Sequence, residues 1–256
     1  MTTVSRTVVV TGAGRGIGRA IALAFAEPGA QIVITARTES QLHDTAGEIA
    51  RRGAHAIPIR MDVSDEDSVA HGFGTLHGRV TKVDVLVNNA GVGGGEVVQG
   101  SDVKRWRQTI DTNLTGMYLV TRQVLPLMAD HGRIVNMSSV LGRFGVPGYT
   151  AYCASKHGVI GFTRALSLEL LKRKITANAI APGWVDTDMA AQGMAQGATH
   201  ARTTFDEFKK RALDAVPIKR IIDPAEVSAL VRFLCSAEAA AITGQTYNIC
   251  GGQVMS

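Results

Sequence analysis

Cysteine is scarce in this chain: Cys153, Cys235 and Cys250 are the only three in 256 residues, an odd number with no C-x-x-C spacing. That excludes a disulfide framework and a cysteine-held metal, and it suits a reducing cytoplasm. Aromatic residues are few, at 5%, and no basic run is interleaved with them, so nothing suggests a nucleic-acid surface. Neither sign of charge dominates, with 27 Lys and Arg against 22 Asp and Glu for a net +5. The basic residues are scattered over Arg15, Arg37, Arg51, Arg52, Lys172 to Lys174 and Lys209 to Arg211, which reads mostly as solvated faces. No apolar run approaches the roughly 20 residues of a membrane-spanning helix, and Met1 to Arg6 is too short and polar for a signal peptide. No linker or change of composition divides the chain, and open α/β sheets of this length are commonly one domain. The expectation is a cytoplasmic single domain over 1–256, with no metal, no membrane anchor and no nucleic acid.

What is present begins with Thr7 to Thr11, a β-branched run that ends in the glycine cluster Gly12 to Gly18 and leads into Ile17, Ala20, Ile21 and Ala24 at helical spacing. Strand, tight turn and helix open a parallel α/β fold. The alternation repeats, with strands over 31–36, 56–61, 83–88, 132–137, 175–181 and 245–249. Helices fall over 40–52, 65–78, 152–172, 205–215 and 224–236, with a long one, open to a break, over 103–129. Asp65 and the pair Asp223-Pro224 have the chemistry of helix starts. Continuous apolar stretches such as Ile32 to Ile34 and Val85 to Val87 read as buried on both faces, the mark of a parallel sheet covered by helices on each side. The predicted fold class is α/β, a single-domain Rossmann-type doubly wound sheet of seven parallel strands. Residues 183–216, rich in Gly, Ala and Gln from Asp188 to Ala201, exceed the ~12 to 15 residues of an ordinary loop. They read as a substrate lid or, alternatively, as a surface insertion.

Gly12-x-x-x-Gly16-x-Gly18 sits after a strand and opens a helix, with Ile17 where the G-x-G-x-x-G pattern has its third glycine. Glycines let the backbone approach a pyrophosphate, and a helix N-terminus offers unpaired N–H groups. About 20 residues on, where an NAD site carries an acid for the ribose hydroxyls, the second strand ends Thr35-Ala36-Arg37-Thr38. Arg37, with Arg15 inside the turn, suits a 2′-phosphate, which selects NADP(H) over NAD(H).

Tyr152 and Lys156 lie four apart, so on a helix they share one face. A lysine cation near a phenol favours the phenolate and brings the phenol pKa down toward working pH. Tyr152 then qualifies as a proton donor to a carbonyl oxygen, and Ser139 can hold the same oxygen. By itself Tyr-x-x-x-Lys also fits a surface tyrosine beside a solvated lysine.

With Thr11 to Gly18, Asp62-Val63, Asn88-Asn89-Ala90-Gly91, Asn113, Ser139, Tyr152-x-x-x-Lys156 and Pro182-Gly183-Trp184-Val185-x-Thr187 in this order, the chain resembles the short-chain dehydrogenase/reductase family over nearly its full length. The resemblance implies that Gly12, Arg15, Gly16, Ile17, Gly18 and Arg37 hold the dinucleotide phosphates, and that Asp62 and Val63 border the adenine. It further implies that Asn89, Ala90 and Gly91 support the cofactor, and that Pro182, Gly183, Val185 and Thr187 wrap the nicotinamide amide. Tyr152 and Lys156 reach the cofactor as well, Lys156 at the nicotinamide ribose, while Asn113 holds a water that links Lys156 to solvent. In the implied reaction hydride passes to a carbonyl carbon as Tyr152 protonates the oxygen and Ser139 hydrogen-bonds it, and alcohol oxidation is the reverse. Ser138 faces the other way on its strand and is structural.

Finer stretches, Asn89 to Gly95, Asp111 to Gly116, Ser155 to Thr163 and Tyr247 to Gly252, look like ketoreductases of bacterial aromatic (type II) polyketide assembly and the related 3-oxoacyl-carrier-protein reductases. This implies an NADPH-dependent ketoreductase of a polyketide or 3-oxoacyl substrate, carried or not on an acidic carrier protein. It also implies a homotetramer packed through the helices near Asn113 and Tyr152. Two other readings stay open: a dehydrogenase or reductase of small secondary alcohols, steroids or diketones, and a non-catalytic NADP-binding regulator. Lys209, Lys210 and Arg211 are either a carrier-protein dock or solvated. Cys153 reads as a packed small side chain, and His157 points about 100° away from Lys156. Trp106, Met117 and Tyr118 read as core or helix-interface residues, and Trp184 as lining the substrate.

Overall fold

A computed structural model describes residues 6–76 and 78–255. The polar start at 1–5 and position 77, inside the helix expected over 65–78, lie outside the described residues. Seven strands, β1 (Arg6–Thr11), β2 (Ala30–Ala36), β3 (His55–Arg60), β4 (Val83–Asn88), β5 (Met128–Met137), β6 (Thr176–Pro182) and β7 (Thr246–Ile249), form one sheet in the order β3-β2-β1-β4-β5-β6-β7. Every pairing is parallel. The chain order reverses at β1, which lies between β2 and β4, and ligands of open α/β sheets bind outside the strand carboxyl ends at such a reversal.

The apolar strands are continuous because both faces are covered. In β1, Val8 and Val10 pack with Ile21 of α1 (Gly16–Ala24) and Val227 and Val231 of α9 (Pro224–Leu234). Val9, between them, joins Leu119 and Val120 of α5 (Gly116–Val124) and Leu166 of α6 (Thr150–Glu169) on the other side. All three valines are fully buried, each worth about 1.5–3 kcal/mol of apolar transfer. The expected helix starts hold. Asp65 accepts a hydrogen bond from Ser68 N (2.9 Å) ahead of α3 (Glu66–Gly74), and Asp223 forms a capping box with Glu226 behind Pro224.

The break left open in the helix over 103–129 is present, while the start of β5 and the form of the stretch after Gly183 need correction. The helix over 103–129 is broken into α4 (Val103–Ile110), a π-helical turn at Asp111–Thr115, α5 and a 3₁₀ turn at Leu125–Leu127, and β5 starts at Met128 rather than 132. Gly116 presses so close to Val63 that a Cβ there would lie 2.6 Å from the Val63 carbonyl oxygen. The long stretch after Gly183 holds the helix expected over 205–215, α8 (Phe205–Asp214), and also a helix, α7 (Asp188–Ala201), where no element was expected. Thr187 caps α7, Thr204 and Glu207 form a capping box on α8, and the glycines of α7 serve packing, since a Cβ on Gly197 would lie 2.3 Å from the Phe208 ring.

A chain of buried amides and hydroxyls fastens α5 and α6 to the sheet. Asn88 Nδ2 donates to Thr121 Oγ1 (3.0 Å) and Asn136 Oδ1 (2.9 Å), and Asn136 Nδ2 donates to Thr163 Oγ1 (3.0 Å). None of the four side chains is more than 2% exposed, so each bond lacks competition from water. Thr163→Val removes the acceptor and leaves a buried N–H unpaired, at a cost of about 1–3 kcal/mol. Urea denaturation should show that loss, and an unchanged midpoint would contradict the network's importance.

Candidate active site

A cavity of about 850 Å³ opens at the carboxyl ends of the central strands. One part of its wall is the glycine turn between β1 and α1. Gly12 has φ +65, and a Cβ on it would stand 2.8 Å from Ala90 Cα, so only glycine fits both the backbone and the space. Thr11 and Asn89 clasp the turn to the end of β4: Thr11 Oγ1 accepts from Asn89 N and Ala90 N (both 3.0 Å), and Asn89 Nδ2 donates to the Thr11 and Gly12 carbonyls (3.0 and 3.2 Å). Gly16, at φ +56, opens α1 beside Thr187, and Arg15 at the N-cap makes no side-chain capping bond. The first N–H groups of α1 are therefore available to an anion.

The expected cofactor residues Arg37, Asp62, Val63, Ala90, Gly91, Pro182, Gly183 and Val185 also line the cavity. Gly18 does not; a Cβ there would lie 2.3 Å from the Gly12 carbonyl oxygen, so Gly18 permits the close approach of α1 to the turn. Ile17 contributes to the wall while packing its side chain on the core. The two expected cations each meet a carboxylate, Arg15 with Asp188 at 3.1 Å and Arg37 with Asp62 at 3.8 Å, with every side chain well exposed. Such pairs contribute about 0–1 kcal/mol, so a phosphate can take either arginine at little cost. The buried hydroxyls of Thr35 and Thr112, also in the wall, have no partner among the described residues. Glycine cradle, open helix terminus, unpaired hydroxyls and exposed cations together fit a phosphate-bearing dinucleotide. No group of three or more His, Cys, Asp or Glu side chains that could hold a metal occurs among the described residues.

The fold brings Ser139, Tyr152 and Lys156 together on another part of the same wall. Lys156 Nζ donates to the Met137 carbonyl (2.9 Å) and lies 5.5 Å from the Tyr152 ring centroid. The Tyr152 hydroxyl hydrogen-bonds Ser139, whose Oγ also accepts from Leu141 N (3.1 Å) at the start of a 3₁₀ turn. Ser138 turns inward, as expected, and donates to the Lys156 carbonyl (2.9 Å). Asn113, on the π-helical turn, is fully buried behind the wall. Its Oδ1 accepts from Val92 N (2.8 Å), and its Nδ2 donates to Val92 O (3.0 Å) and Ser155 Oγ (3.1 Å). Both its N–H donors are committed, so a water held by its side chain must donate to the free lone pair of Oδ1.

The expectation that Lys156 lowers the phenol pKa is not met in the free protein. Burial pushes Tyr152 up to about 12, against the pull of the Ser139 hydrogen bond, and brings Lys156 down to about 8. Desolvation disfavours both charged forms at once. The phenol is consequently neutral, and able to donate, across the neutral range.

Cys153 is buried and absent from the cavity wall, and His157 Nδ1 pairs with the Cys153 carbonyl (2.9 Å). Trp184 lines the cavity and Met117 is buried as expected, but Trp106 and Tyr118 are exposed rather than in the core. Phe144, Tyr149, Met189, Phe208 and Gln253 line the cavity without having been singled out in the sequence. They sit on loops and helices whose placement no motif marks.

A doubly wound parallel sheet with a glycine turn, an open helix terminus and a Ser-Tyr-Lys cluster in one cavity defines a dinucleotide-dependent α/β oxidoreductase. The family model described as enoyl-(acyl carrier protein) reductase matches residues 12–253. The chain belongs to the short-chain dehydrogenase/reductase family. It is 40% identical to a 3-oxoacyl-[acyl-carrier-protein] reductase of Synechocystis sp. over 98% of both chains, and 40% identical to a putative ketoacyl reductase of Streptomyces coelicolor over 97% of both. Among solved structures, a variant of the actinorhodin polyketide ketoreductase with NADPH superposes with a TM-score of 0.93, at 39% identity and 99% coverage of both chains.

Lys156 binds its proton less tightly folded, at about 8 against an ordinary 10.5. Its burial therefore costs stability below about pH 8, and that cost fades as pH rises toward 10.5. Tyr152 acts oppositely between 10 and about 12, where the unfolded phenol ionises and the folded one does not. Lys156→Met should be the more stable chain below pH 8, by up to about 3 kcal/mol, and the gap should close by pH 10.5. Urea midpoints across that window test this; a gap independent of pH would refute it.

Proposed function

We propose that this chain is an NADPH-dependent ketoreductase that reduces a ketone of a polyketide or 3-oxoacyl substrate. The observation that carries the reading is the shared cavity, in which a neutral Tyr152 phenol, hydrogen-bonded to Ser139 and flanked by Lys156, stands on one wall with the dinucleotide-shaped glycine turn. Bound NADPH supplies the hydride. Tyr152 delivers the proton to the carbonyl oxygen, so that the carbonyl becomes an alcohol, and Ser139 holds that oxygen in line. Lys156, fixed by the Met137 carbonyl, faces the phenolate left behind and stabilises it, and a water at Asn113 restores the proton. Arg37 and Arg15 exchange their exposed carboxylate partners for the 2′-phosphate. The relatives, a 3-oxoacyl-[acyl-carrier-protein] reductase and a putative ketoacyl reductase, support the substrate class.

The same reading makes α7 and α8 the substrate cover, because Met189 and Phe208 line the cavity from these helices. Lys209, Lys210 and Arg211, exposed on α8 beside Phe208, are suited to an acidic carrier protein, and exposed Trp106 and Tyr118 to the helix contacts of a cytoplasmic homotetramer. No helix among the described residues is long and apolar enough to cross a membrane.

Tyr152→Phe should lower ketone reduction by roughly 10²–10⁴-fold while NADPH binding by fluorescence persists. Arg37→Asp should weaken NADPH use about 10-fold or more, through loss of a charge-assisted bond, and spare NADH. Retained turnover in the first variant or unchanged NADPH kinetics in the second would defeat these roles. Binding of NADPH without turnover of any ketone would mark a regulator, and turnover confined to small monoketones a different reductase. Charge reversal of Lys209, Lys210 and Arg211 should slow reduction of a carrier-bound thioester about 10-fold and leave the free thioester unaffected. Equal rates on the two would remove the carrier dock, and a monomer by light scattering would remove the tetramer.

A further inference from the structure

The turn after β7 places a polar group in the cavity wall that the proposed chemistry does not use. Gly251 and Gly252 have φ +62 and +86, and a Cβ on either would stand 2.5 Å from Ile218 Cγ1 or 3.1 Å from Pro217 Cγ. Backbone bonds hold the turn in place: Ile218 N donates to Gly251 O (3.2 Å) and Gln253 N to Cys250 O (3.3 Å). Asn248 Nδ2 donates to Val254 O (3.3 Å), and Gly183 N donates to Ile249 O (3.0 Å). This fastening sets the Gln253 carboxamide against Gly183, where an added Cβ would meet Gln253 Oε1 at 3.4 Å.

Gln253 Oε1 is shut off from solvent and has no hydrogen-bond partner among the described residues. A buried acceptor left unpaired costs about 1–3 kcal/mol, and an apolar residue in its place would avoid that cost. The other side-chain amides in the cavity wall, Gln41 and Asn89, lie at the glycine turn, within 2.9 and 3.1 Å of where Cβ atoms on Gly14 and Gly12 would be. Gln253 instead joins the wall beside Gly183, away from the glycine turn. A carboxamide can present its oxygen or, turned over, its NH₂ group, so it can meet a hydroxyl or a carbonyl.

We propose that Gln253 is a specificity-determining residue that hydrogen-bonds a second oxygen of the substrate, selecting ketones with another carbonyl or hydroxyl near the reacting one over plain monoketones. This rests on the ketoreductase reading above. A site with a buried polar group rejects analogues that cannot pair it, because the group then stays unpaired in the complex.

The test compares a non-enolisable cyclic diketone, with carbonyls on alternate ring carbons, against the matching cyclic monoketone, both with NADPH. In the wild-type chain the diketone should have the higher kcat/KM. Gln253→Leu should lower kcat/KM for the diketone about 10- to 100-fold, leave the monoketone within about 2-fold, and leave Tm equal or higher because the unpaired acceptor is gone. Gln253→Asn, which keeps the amide, should retain part of the preference. The proposal is overturned if both ketones lose rate together, if the NADPH KM rises by the same factor, or if Gln253→Leu lowers Tm, since these mark a general, a cofactor or a structural role. Failure of the wild-type chain to reduce either ketone would overturn the ketoreductase reading itself, a separate and recognisable result.

Discussion

The burial of the Lys156 ammonium without a carboxylate beside it is the constraint on which the rest of the site depends. Among the described residues its ammonium donates one hydrogen bond, to the Met137 carbonyl, and the loss of water around it draws its pKa down. Such a group stays in place only if its helix cannot retreat toward solvent. Three sets of bonds prevent that: Ser138 holds the Lys156 carbonyl, Asn136 holds Thr163 one helical stretch further on, and Asn113 holds Ser155. The sheet's carboxyl edge, through Asn136 and Ser138, and the π-helical turn, through Asn113, thus supply the rigidity that α6 needs to carry an unfavourable side chain. Preorganised groups of this kind do their work without rearranging when charge develops.

Close approach is the second constraint, and it acts through missing side chains. Gly12 lets the turn touch Ala90, Gly18 lets α1 sit on the turn, Gly116 lets α5 meet Val63, and Gly197 lets the Phe208 ring rest on α7. The glycine turn, α1 and α7 pressed together in this way also line the cavity wall. Read as composition, these glycines suggest flexibility; read as packing, they are contacts no larger residue would allow.

That difference explains what was legible in the sequence. The strands were, because Val8 to Val10 and Val85 to Val87 are buried from two sides and leave no polar alternation to confuse them. Ser139, Tyr152 and Lys156 were as well, since a strand end and one helical turn suffice to bring them together. The direction of the Tyr152 shift was not, because spacing shows the lysine's charge but not the loss of water around both groups. Helix α7 was hidden by its Gly and Ala content, and the π-helical form of the break at Asp111–Thr115 leaves no mark in the spacing of apolar residues. Gln253 could not be found from its neighbours in the chain: its position follows from Pro217 and Ile218 packing on the glycines before it.

The three thiols, all buried, have a use that catalysis does not touch. Cys153 lies on α6, Cys235 at the end of α9 and Cys250 beyond β7, and burial raises the Cys235 thiol to about 12. Since the thiolate is the reactive form, an alkylating reagent at neutral pH meets each of them only when that part of the chain opens. Their separate labelling rates would therefore chart local opening of α6, of α9 and of the turn after β7 as three clocks in one molecule. A thiol that reacted as fast as in an unfolded peptide would show that its burial is not maintained.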